Sequence, residues 1–312
     1  MTIPGLTVAE RLWNRGARVK MNGKLIAEHL DDDTGHRIAF NIERHNRIEP
    51  NTAEVRVWGL SKTVRTAITA AFDAARKLIL GKGGTGSIGD LVVEAGNDGV
   101  LSQICKMDVI SIEHVPLRPG FVTVIKGQDG VLPFQNSFVN TSIAPGVDAN
   151  VVKTLLVQSM KVAFLDADSE AAFQEAFAGW SQKTLPGGMV LQGPTRKVMT
   201  DFLDSLDLAW SHQDGKLVLL RFDQTTKDVA VLLSPDHGLQ RFVPLELGRA
   251  RVLARLNPLL LPGRQVQVID GNGVPKGAGI FRTDRAMIEG DTDEEGPWSS
   301  TLELRPATLN PA

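Results

Sequence analysis

The sequence predicts a mostly β protein of the α+β class, in which two antiparallel barrel-like or sandwich-like β modules flank an α+β insert. Its 312 residues correspond to about two domains. Short strand-like runs separated by Gly, Asn, Asp and Pro turns occupy both ends of the chain, which is typical of antiparallel sheets. Helical periodicity is strongest in the middle. A similar order of turns and strands occurs in both β segments.

Four regions follow from these patterns. We predict an N-terminal arm over residues 1–17, a first β domain over 18–130, the α+β insert over 131–238, and a second β domain, similar to the first, over 239–312. In the arm, a threonine and a glutamate three residues later have the spacing of a helix capping box. A helix this short is not stable alone in water, so we expect the arm to pack on a neighbour.

The first β domain begins with alternating residues. Ile38, Phe40 and Ile42 alternate with polar residues, and residues 54–58 continue the period of two. An amphipathic helix follows, with Ser61 as its N-cap. After a Gly-rich loop, four more strand-like runs are predicted, at residues 91–95, 103–107, 109–114 and 121–126.

The insert has a different pattern. Asp148 and Thr195 have side chains that N-cap positions prefer, and each precedes a run with helical periodicity. Residues 169–178 predict another short helix between them. Asp214-Gly215 lies between two apolar runs and is a strong signal for a β-hairpin.

The second β segment resembles the first. Strands are predicted at residues 249–256, 265–269, 278–282 and 298–304. Residues 93–100 are similar to residues 268–274, and in both segments the final strand opens with an aromatic residue, Phe121 or Trp298. Such turns recur in many β proteins, but the shared order favours a structural duplication.

Composition and charge argue against several classes of protein. The net charge is −2, whereas a dedicated nucleic-acid or membrane-surface binder would carry a basic excess. The single cysteine, Cys105, has no partner for an intramolecular disulfide. The N-terminus does not have the pattern of a signal peptide, and no run approaches the ~20 apolar residues that span a bilayer. We therefore expect a soluble protein with no membrane anchor, folded in a reducing cytoplasm.

The motifs that carry chemistry in other proteins are incomplete here. Residues 84–89 match G-x-G-x-x-G, but a helix precedes them and a strand follows, the reverse of a dinucleotide site. Residues 291–296 begin like a calcium loop, but Leu302 occupies the twelfth position. The six histidines form no zinc-binding pair on a helix, and Cys105 lies in a strand pattern. We predict no catalytic, cofactor-binding or metal-binding residues, and no enzyme activity.

Several segments resemble one protein family. Residues 49–61, EPNTAEVRVWGLS, resemble a family motif in which Pro-Asn precedes Ala-Glu-Val, an aromatic residue and Asn-Leu-Ser, with Gly59 in place of the usual Asn. Further resembling segments follow in the family's order, at residues 92–96, 137–142, 256–266 and 290–303. Over most of residues 18–306, the chain resembles the baseplate or tail hub proteins of tailed bacteriophages.

This resemblance implies a structural virion protein with a tail-tube fold in both β modules. It implies a homotrimer, in which three chains form a ring of six similar modules between a sixfold tail tube and a threefold spike. The implied partners are the tail tube or tube-initiator protein, the central spike, the end of the tape-measure protein and surrounding baseplate proteins. DNA passes through the lumen only during genome ejection, so a near-neutral or acidic lumen would suit it. The implied location is the baseplate at the distal end of the tail, after assembly in the host bacterial cytoplasm.

Two alternatives remain open at this stage. One is a tube-initiator or distal tail protein, with one β module per chain and six copies in the ring. The other is a carbohydrate-binding or hydrolytic module of a receptor-binding protein, because the five tryptophans of the chain could line a glycan groove.

Overall fold

The computed structural model describes residues 14–30, 35–81, 89–97, 99–160, 167–179, 183–221, 224–226 and 230–307. The helix predicted in the N-terminal arm, and most of the Gly-rich loop that contains the G-x-G-x-x-G match, lie outside these residues.

The first β segment contains seven strands and one helix within the described residues. In chain order they are β1 (Arg15–Met21), β2 (Lys24–His29), β3 (Ile38–His45), β4 (Thr52–Trp58), α1 (Lys62–Gly81), β5 (Asp90–Asn97), β6 (Val100–Leu117) and β7 (Gly120–Gln128). The predicted N-cap of α1 is confirmed, because the Oγ of Ser61 accepts a hydrogen bond from the backbone N–H of Val64 at 3.3 Å.

The middle of the chain alternates short helices with short strands. Its elements are α2 (Val131–Asn136), β8 (Phe138–Ile143), β9 (Val147–Asp148), α3 (Asn150–Met160), α4 (Ala167–Gly179), β10 (Thr184–Leu185), β11 (Met189–Pro194), α5 (Thr195–Asp204), β12 (Leu208–Gln213) and β13 (Lys216–Arg221). The three predicted helices and the hairpin are confirmed. Thr195 was expected to cap α5 and does not: Pro194 is the N-cap, and the Oγ1 of Thr195 accepts a hydrogen bond from Ser159 instead.

The last part of the chain returns to strands. They are β14 (Val231–Leu233), β15 (Leu239–Pro244), β16 (Ala250–Arg255), β17 (Gln265–Ile269), β18 (Pro275–Asp291) and β19 (Trp298–Pro306).

Two strands are much longer than the sequence predicts. The separate strands expected within β6 are one strand, because a bulge between Val109 and Ser111 shifts its register against β7 without ending the ladder. β18 was expected to end near Arg282, but it continues past a bulge between Thr283 and Arg285. The polar run at this bulge reads as a loop in the sequence, because pairing with distant strands does not show in local periodicity.

One large sheet contains strands from both β segments. Its order is β15-β16-β19-β18-β3-β4-β7-β6-β5-β1-β2, with β17 on β18 and β14 on β17. Within it the described pairings are antiparallel except that of β14 with β17. The pairing of β3 with β18 joins the two segments, so the sheet is continuous across them.

The same strand order occurs twice in this sheet. The order β3-β4-β7-β6-β5 in the first segment matches β15-β16-β19-β18-β17 in the second. The bulges in β6 and β18 also lie at the same place against β7 and β19. The ladders place these residues at equivalent positions: Phe40 and Phe242, Val93 and Val268, Phe121 and Trp298. This register agrees with the sequence alignment of the two segments, while the exact domain boundaries stay predictions.

The described residues form two apolar cores, one on the central sheet and one in the insert. One side of the central sheet contributes fully buried residues from both segments, such as Ile42, Val55, Ile288 and Leu302, to a single core. The insert has a second core around Phe173, where α3, α4 and α5 pack against its strands. The sheet and the insert are therefore each stabilised by their own buried apolar surface.

Candidate functional site

The side of the central sheet that faces away from the core carries polar side chains. We call this surface the polar face and define it by outward residues of β16, β19, β18, β3, β4 and β7: Arg251, Glu303, Arg285, Glu289, Asn41, Glu43, Glu54, Arg56 and Lys126. Cross-strand neighbours share a face, so these side chains form one surface that crosses both β segments. A shallow depression of about 570 Å³ lies over its middle.

Ion pairs on the polar face occur in both segments, and the pair of Glu54 with Lys126 is at the position equivalent to that of Arg251 with Glu303. In the first, Arg56 and Lys126 approach Glu54 at 2.7 and 3.9 Å. In the second, Arg285 and Arg251 both approach Glu303, at 3.3 and 3.5 Å.

The signs of the charges are reversed between these two positions. Glu54 is equivalent to Arg251, and Lys126 is equivalent to Glu303. Exposed pairs of this kind contribute about 0–1 kcal/mol each to stability. Their main consequence is that positively and negatively charged side chains are interspersed along the polar face. The residues that define this face contain no block of positive charge.

The acidic turn after β18 is held by arginines. The guanidinium of Arg37 donates to both carboxylate oxygens of Asp291, at 2.8 and 3.1 Å, and this hydrogen bonding raises the pKa of Arg37. Nη1 of Arg15 donates to the carbonyl oxygens of Asp291, Asp293 and Gly296. The oxygens that resemble a calcium loop in sequence therefore accept from two guanidinium groups.

A buried polar cluster joins the sheet to the β12–β13 hairpin of the insert. Arg44 is 3% exposed, and Nη1 donates to the carbonyl of Ile104 at 2.6 Å. Its Nη2 donates to Gln213 Oε1 and Asp214 Oδ2, both at 2.8 Å. We call these groups, together with the residues described next, the Arg44 cluster.

Asn51 closes the same cluster from the other side. Its side-chain amide donates to the carbonyl of His212 at 2.8 Å, and its Oδ1 accepts from the backbone N–H of His45 at 2.9 Å. Asn51 belongs to the motif at residues 49–61. In this chain, the asparagine of that motif connects the backbone of β3 to the backbone of the β12–β13 hairpin. The sequence analysis did not predict this cluster. A signal was present, because Arg44 lies two residues after Ile42 and strand alternation therefore places a charged side chain on the core face of β3.

Two titratable groups beside this cluster have perturbed pKa values. Burial raises the pKa of Asp129 to about 7, although its Oδ1 accepts a hydrogen bond from the backbone N–H of Gly215 at 3.0 Å. Burial lowers the pKa of His212 to about 4, and neither ring nitrogen of His212 has a hydrogen-bond partner among the described residues. Both groups are therefore mostly neutral near pH 6.

Replacing Asp129 by asparagine is expected to remove one source of pH dependence in stability. The folded-state pKa of about 7 lies above the ordinary value of 3.8, so the folded chain binds this proton more tightly and loses stability as pH rises between those values. From pH 5 to pH 8 the loss is roughly 2.5 kcal/mol. The variant keeps an oxygen that can accept from Gly215 and does not lose this amount.

Denaturant unfolding of wild type and Asp129→Asn at pH 5 and pH 8 measures this effect. The variant should gain roughly 2.5 kcal/mol relative to wild type on going from pH 5 to pH 8. His212 has the opposite effect, because its lowered pKa costs stability below pH 6.5, but it is present in both proteins and cancels in the comparison. An unchanged difference between the proteins at the two pH values would contradict the assignment.

The single cysteine is a buried side chain of the sheet. Cys105 is fully buried in β6, where burial raises its thiol pKa to about 12, so the sequence interpretation of a small apolar residue is confirmed. Within the described ranges, no three His, Cys, Asp or Glu side chains are placed to hold a metal ion. None of the described helices is long and apolar enough to cross a bilayer.

Three of the five tryptophans fall within the described residues. Trp210 and Trp298 are 2% and 8% exposed. The ring of Trp58 lies against the guanidinium of Arg37 at 4.7 Å. These three rings are therefore packing groups rather than a row of exposed faces for sugars.

The architecture is that of bacteriophage tail proteins. A tail protein of Neisseria meningitidis matches with a TM-score of 0.54 and 13% identity, over 94% of this chain and 96% of that one. A 43 kDa tail protein of prophage MuSo2 from Shewanella oneidensis matches with a TM-score of 0.55 and 8% identity, over 93% and 98%.

The same fold occurs in a secretion system. An E. coli component of the type VI secretion system, described as structurally similar to the T4 bacteriophage tail proteins gp27 and gp5, matches with a TM-score of 0.54 and 9% identity, over 94% of this chain and 79% of that one. No protein-family model matches the chain, and no curated protein sequence matches it either. At these identities the likeness concerns the fold.

Proposed function

We propose that this chain is a structural protein of a bacteriophage tail, the trimeric hub that joins the sixfold tail tube to a threefold spike. The observation that carries this proposal is the strand order that occurs twice in one continuous sheet. Three copies of such a chain present six similar five-strand units, which is what a threefold assembly needs to match a sixfold one. The fold shared with phage tail proteins and with the gp27-like component supports the same assignment.

The polar face would line the channel of this hub. In a closed ring the apolar core must lie between the sheet and the outer elements, so the opposite face of the sheet borders the lumen. Alternating charges suit the passage of DNA, because a lumen dominated by Lys and Arg would bind phosphates and slow it. The partners that follow are the tail tube or tube-initiator protein, the spike, the tape-measure end and neighbouring baseplate proteins, at the distal end of the virion tail.

The alternatives are less well supported by the structure. A tube-initiator with one module per chain does not need the repeated strand order. A carbohydrate-binding or hydrolytic module needs exposed aromatic faces or a catalytic site, and the described tryptophans are packed against other groups. We therefore propose a structural rather than a catalytic role.

The mass of the purified protein in solution tests the proposal. Light scattering after size exclusion should give three times the chain mass of 33.8 kDa at micromolar concentration. Six copies would favour the tube-initiator, and a single copy at all concentrations would contradict the hub. Addition of the spike protein from the same phage should give a complex with three copies of this chain.

A further inference from the structure

Two edges of the repeated unit have no strand partner in the described part of the chain. From Ile110 to Leu117, β6 pairs only with β7, because its pairing with β5 ends at Asp108. β15 pairs only with β16. Six strands lie between these two edges in the sheet, and the two edges do not pair with each other within the described chain.

The chain contains a template for how such edges meet. The pairing of β3 with β18 joins the end of β18 to the first strand of the repeated order, from Asp291 opposite Ala39 to Arg285 opposite His45. In the repeated strand order, β6 is the equivalent of β18 and β15 is the equivalent of β3. The two unpaired edges are therefore the equivalents of two strands that pair inside the chain.

We propose that β15 of one copy pairs antiparallel with the end of β6 of the next copy, residues His114 to Leu117, in the register of the β3–β18 ladder. This inference rests on the proposed ring assembly and specifies its subunit contact. In the internal ladder, Glu289 lies opposite Asn41. Val115 is the equivalent of Glu289 and Val243 is the equivalent of Asn41, so Val115 of one copy lies opposite Val243 of the next. Likewise, Pro116 lies opposite Phe242 and Leu117 opposite Arg241 of that copy.

The side chains at these edges suit a contact between separate chains. Val115 and Leu117 are 45% and 52% exposed, and they occupy the positions of Glu289 and Asp291 at the internal junction. Just beyond β15, Leu245 and Leu247 are 42% and 91% exposed. Val115 and Leu117 are thus apolar where the internal junction has acidic residues. Burial of apolar surface would offset the translational freedom that separate chains lose when they associate.

The aromatic positions of the internal junction are repeated as well. At the internal junction, the rings of Phe40 and Trp298 meet edge to face with centroids 5.8 Å apart. Their equivalents are Phe242 and Phe121, and Phe121 is 38% exposed. In the proposed pairing these two rings come from different copies and lie on either side of Pro116, which occupies the position that Gly290 has between Phe40 and Trp298. Both rings therefore border the proposed interface.

The proposed junction depends more on side chains than the internal one does. Pro116 and Pro244 have no backbone N–H to donate, so the ladder between copies contains fewer hydrogen bonds than the β3–β18 ladder. A charge placed at the apolar contact should therefore weaken the assembly strongly.

Disulfide trapping tests the register. The double variant Val115→Cys with Val243→Cys should form disulfides between copies under mild oxidation, and a closed ring should give a covalent trimer on a non-reducing gel. The matched control, Glu113→Cys with Val243→Cys, uses the same face two residues out of register and should form at least about tenfold less. Each single variant should form none, since Cys105 is buried.

A charge variant tests the same contact without oxidation. Val243→Asp should raise the trimer dissociation constant by about tenfold or more, while Val190→Asp, at a position 69% exposed in the insert, should leave it unchanged. Circular dichroism establishes that both variants are folded. Equal effects of the two substitutions would overturn the proposed contact.

The outcomes separate this inference from the proposed function. A trimer in solution without trapping at Val115 and Val243 overturns the pairing and leaves the trimeric hub in place. Trapped hexamers or open-ended multimers support the pairing and contradict the trimeric hub. A monomer at all concentrations without trapping contradicts both.

Discussion

Replacing Arg44 by methionine is expected to lower the free energy of unfolding by about 3–5 kcal/mol, the range for removing one partner of a buried ion pair. The guanidinium is 3% exposed, and its loss leaves the carbonyl of Ile104 and the amide oxygen of Gln213 without that donor. Methionine has a similar length, so the effect comes from lost hydrogen bonds more than from a cavity. Denaturant unfolding of the two proteins measures it.

A surface arginine on the neighbouring strand provides the control. Arg56 has a side chain 56% exposed and pairs with Glu54, so Arg56→Met should cost less than about 1 kcal/mol. The β12–β13 hairpin should also become more sensitive to limited proteolysis in Arg44→Met, because the cluster holds it on the sheet. A loss similar to that of the control would show that the cluster does not anchor the insert.

Replacing Gly290 by alanine is expected to destabilise the junction of the two β segments by about 3 kcal/mol, at the upper end for overpacking a buried site. A Cβ on this residue would lie 2.1 Å from the ring of Phe40, directly opposite on β3. Phe40 is 4% exposed and packs against Trp298, so its ring has little room to move. Thermal or denaturant unfolding measures the loss.

Two further variants identify the cause. Gly120→Ala places a Cβ where no heavy atom lies within 4 Å, so it should change stability by less than about 0.5 kcal/mol. Phe40→Leu combined with Gly290→Ala should be less destabilised than the sum of the two single changes, because the smaller leucine relieves the clash of Gly290→Ala and the added methyl group fills part of the space that Phe40→Leu leaves. Additive effects would show that the destabilisation by Gly290→Ala does not come from a clash with the ring of Phe40.

The resemblance to tail hub proteins correctly indicated the fold, although the identities to the matching structures are only 8–13%. The repeated positions near Val93 and Val268 were visible because each lies in a strand that ends in a tight turn. The Arg44 cluster was not visible, because its members are separated by up to 170 residues along the chain. Neither the proposed subunit contact nor the charge pattern of the polar face could be predicted from local periodicity.

By itself, the sequence determined the local elements: α1 with its Ser61 cap, the β12–β13 hairpin and the alternation of β3 and β4. These depend on side chains within a few residues of one another, so composition and spacing are sufficient. The tertiary structure alone decided the full length of β6 and β18, the pairing of β3 with β18 and the burial of Arg44. These depend on partners far away in the chain, whose hydrogen bonds and buried area outweigh local preference.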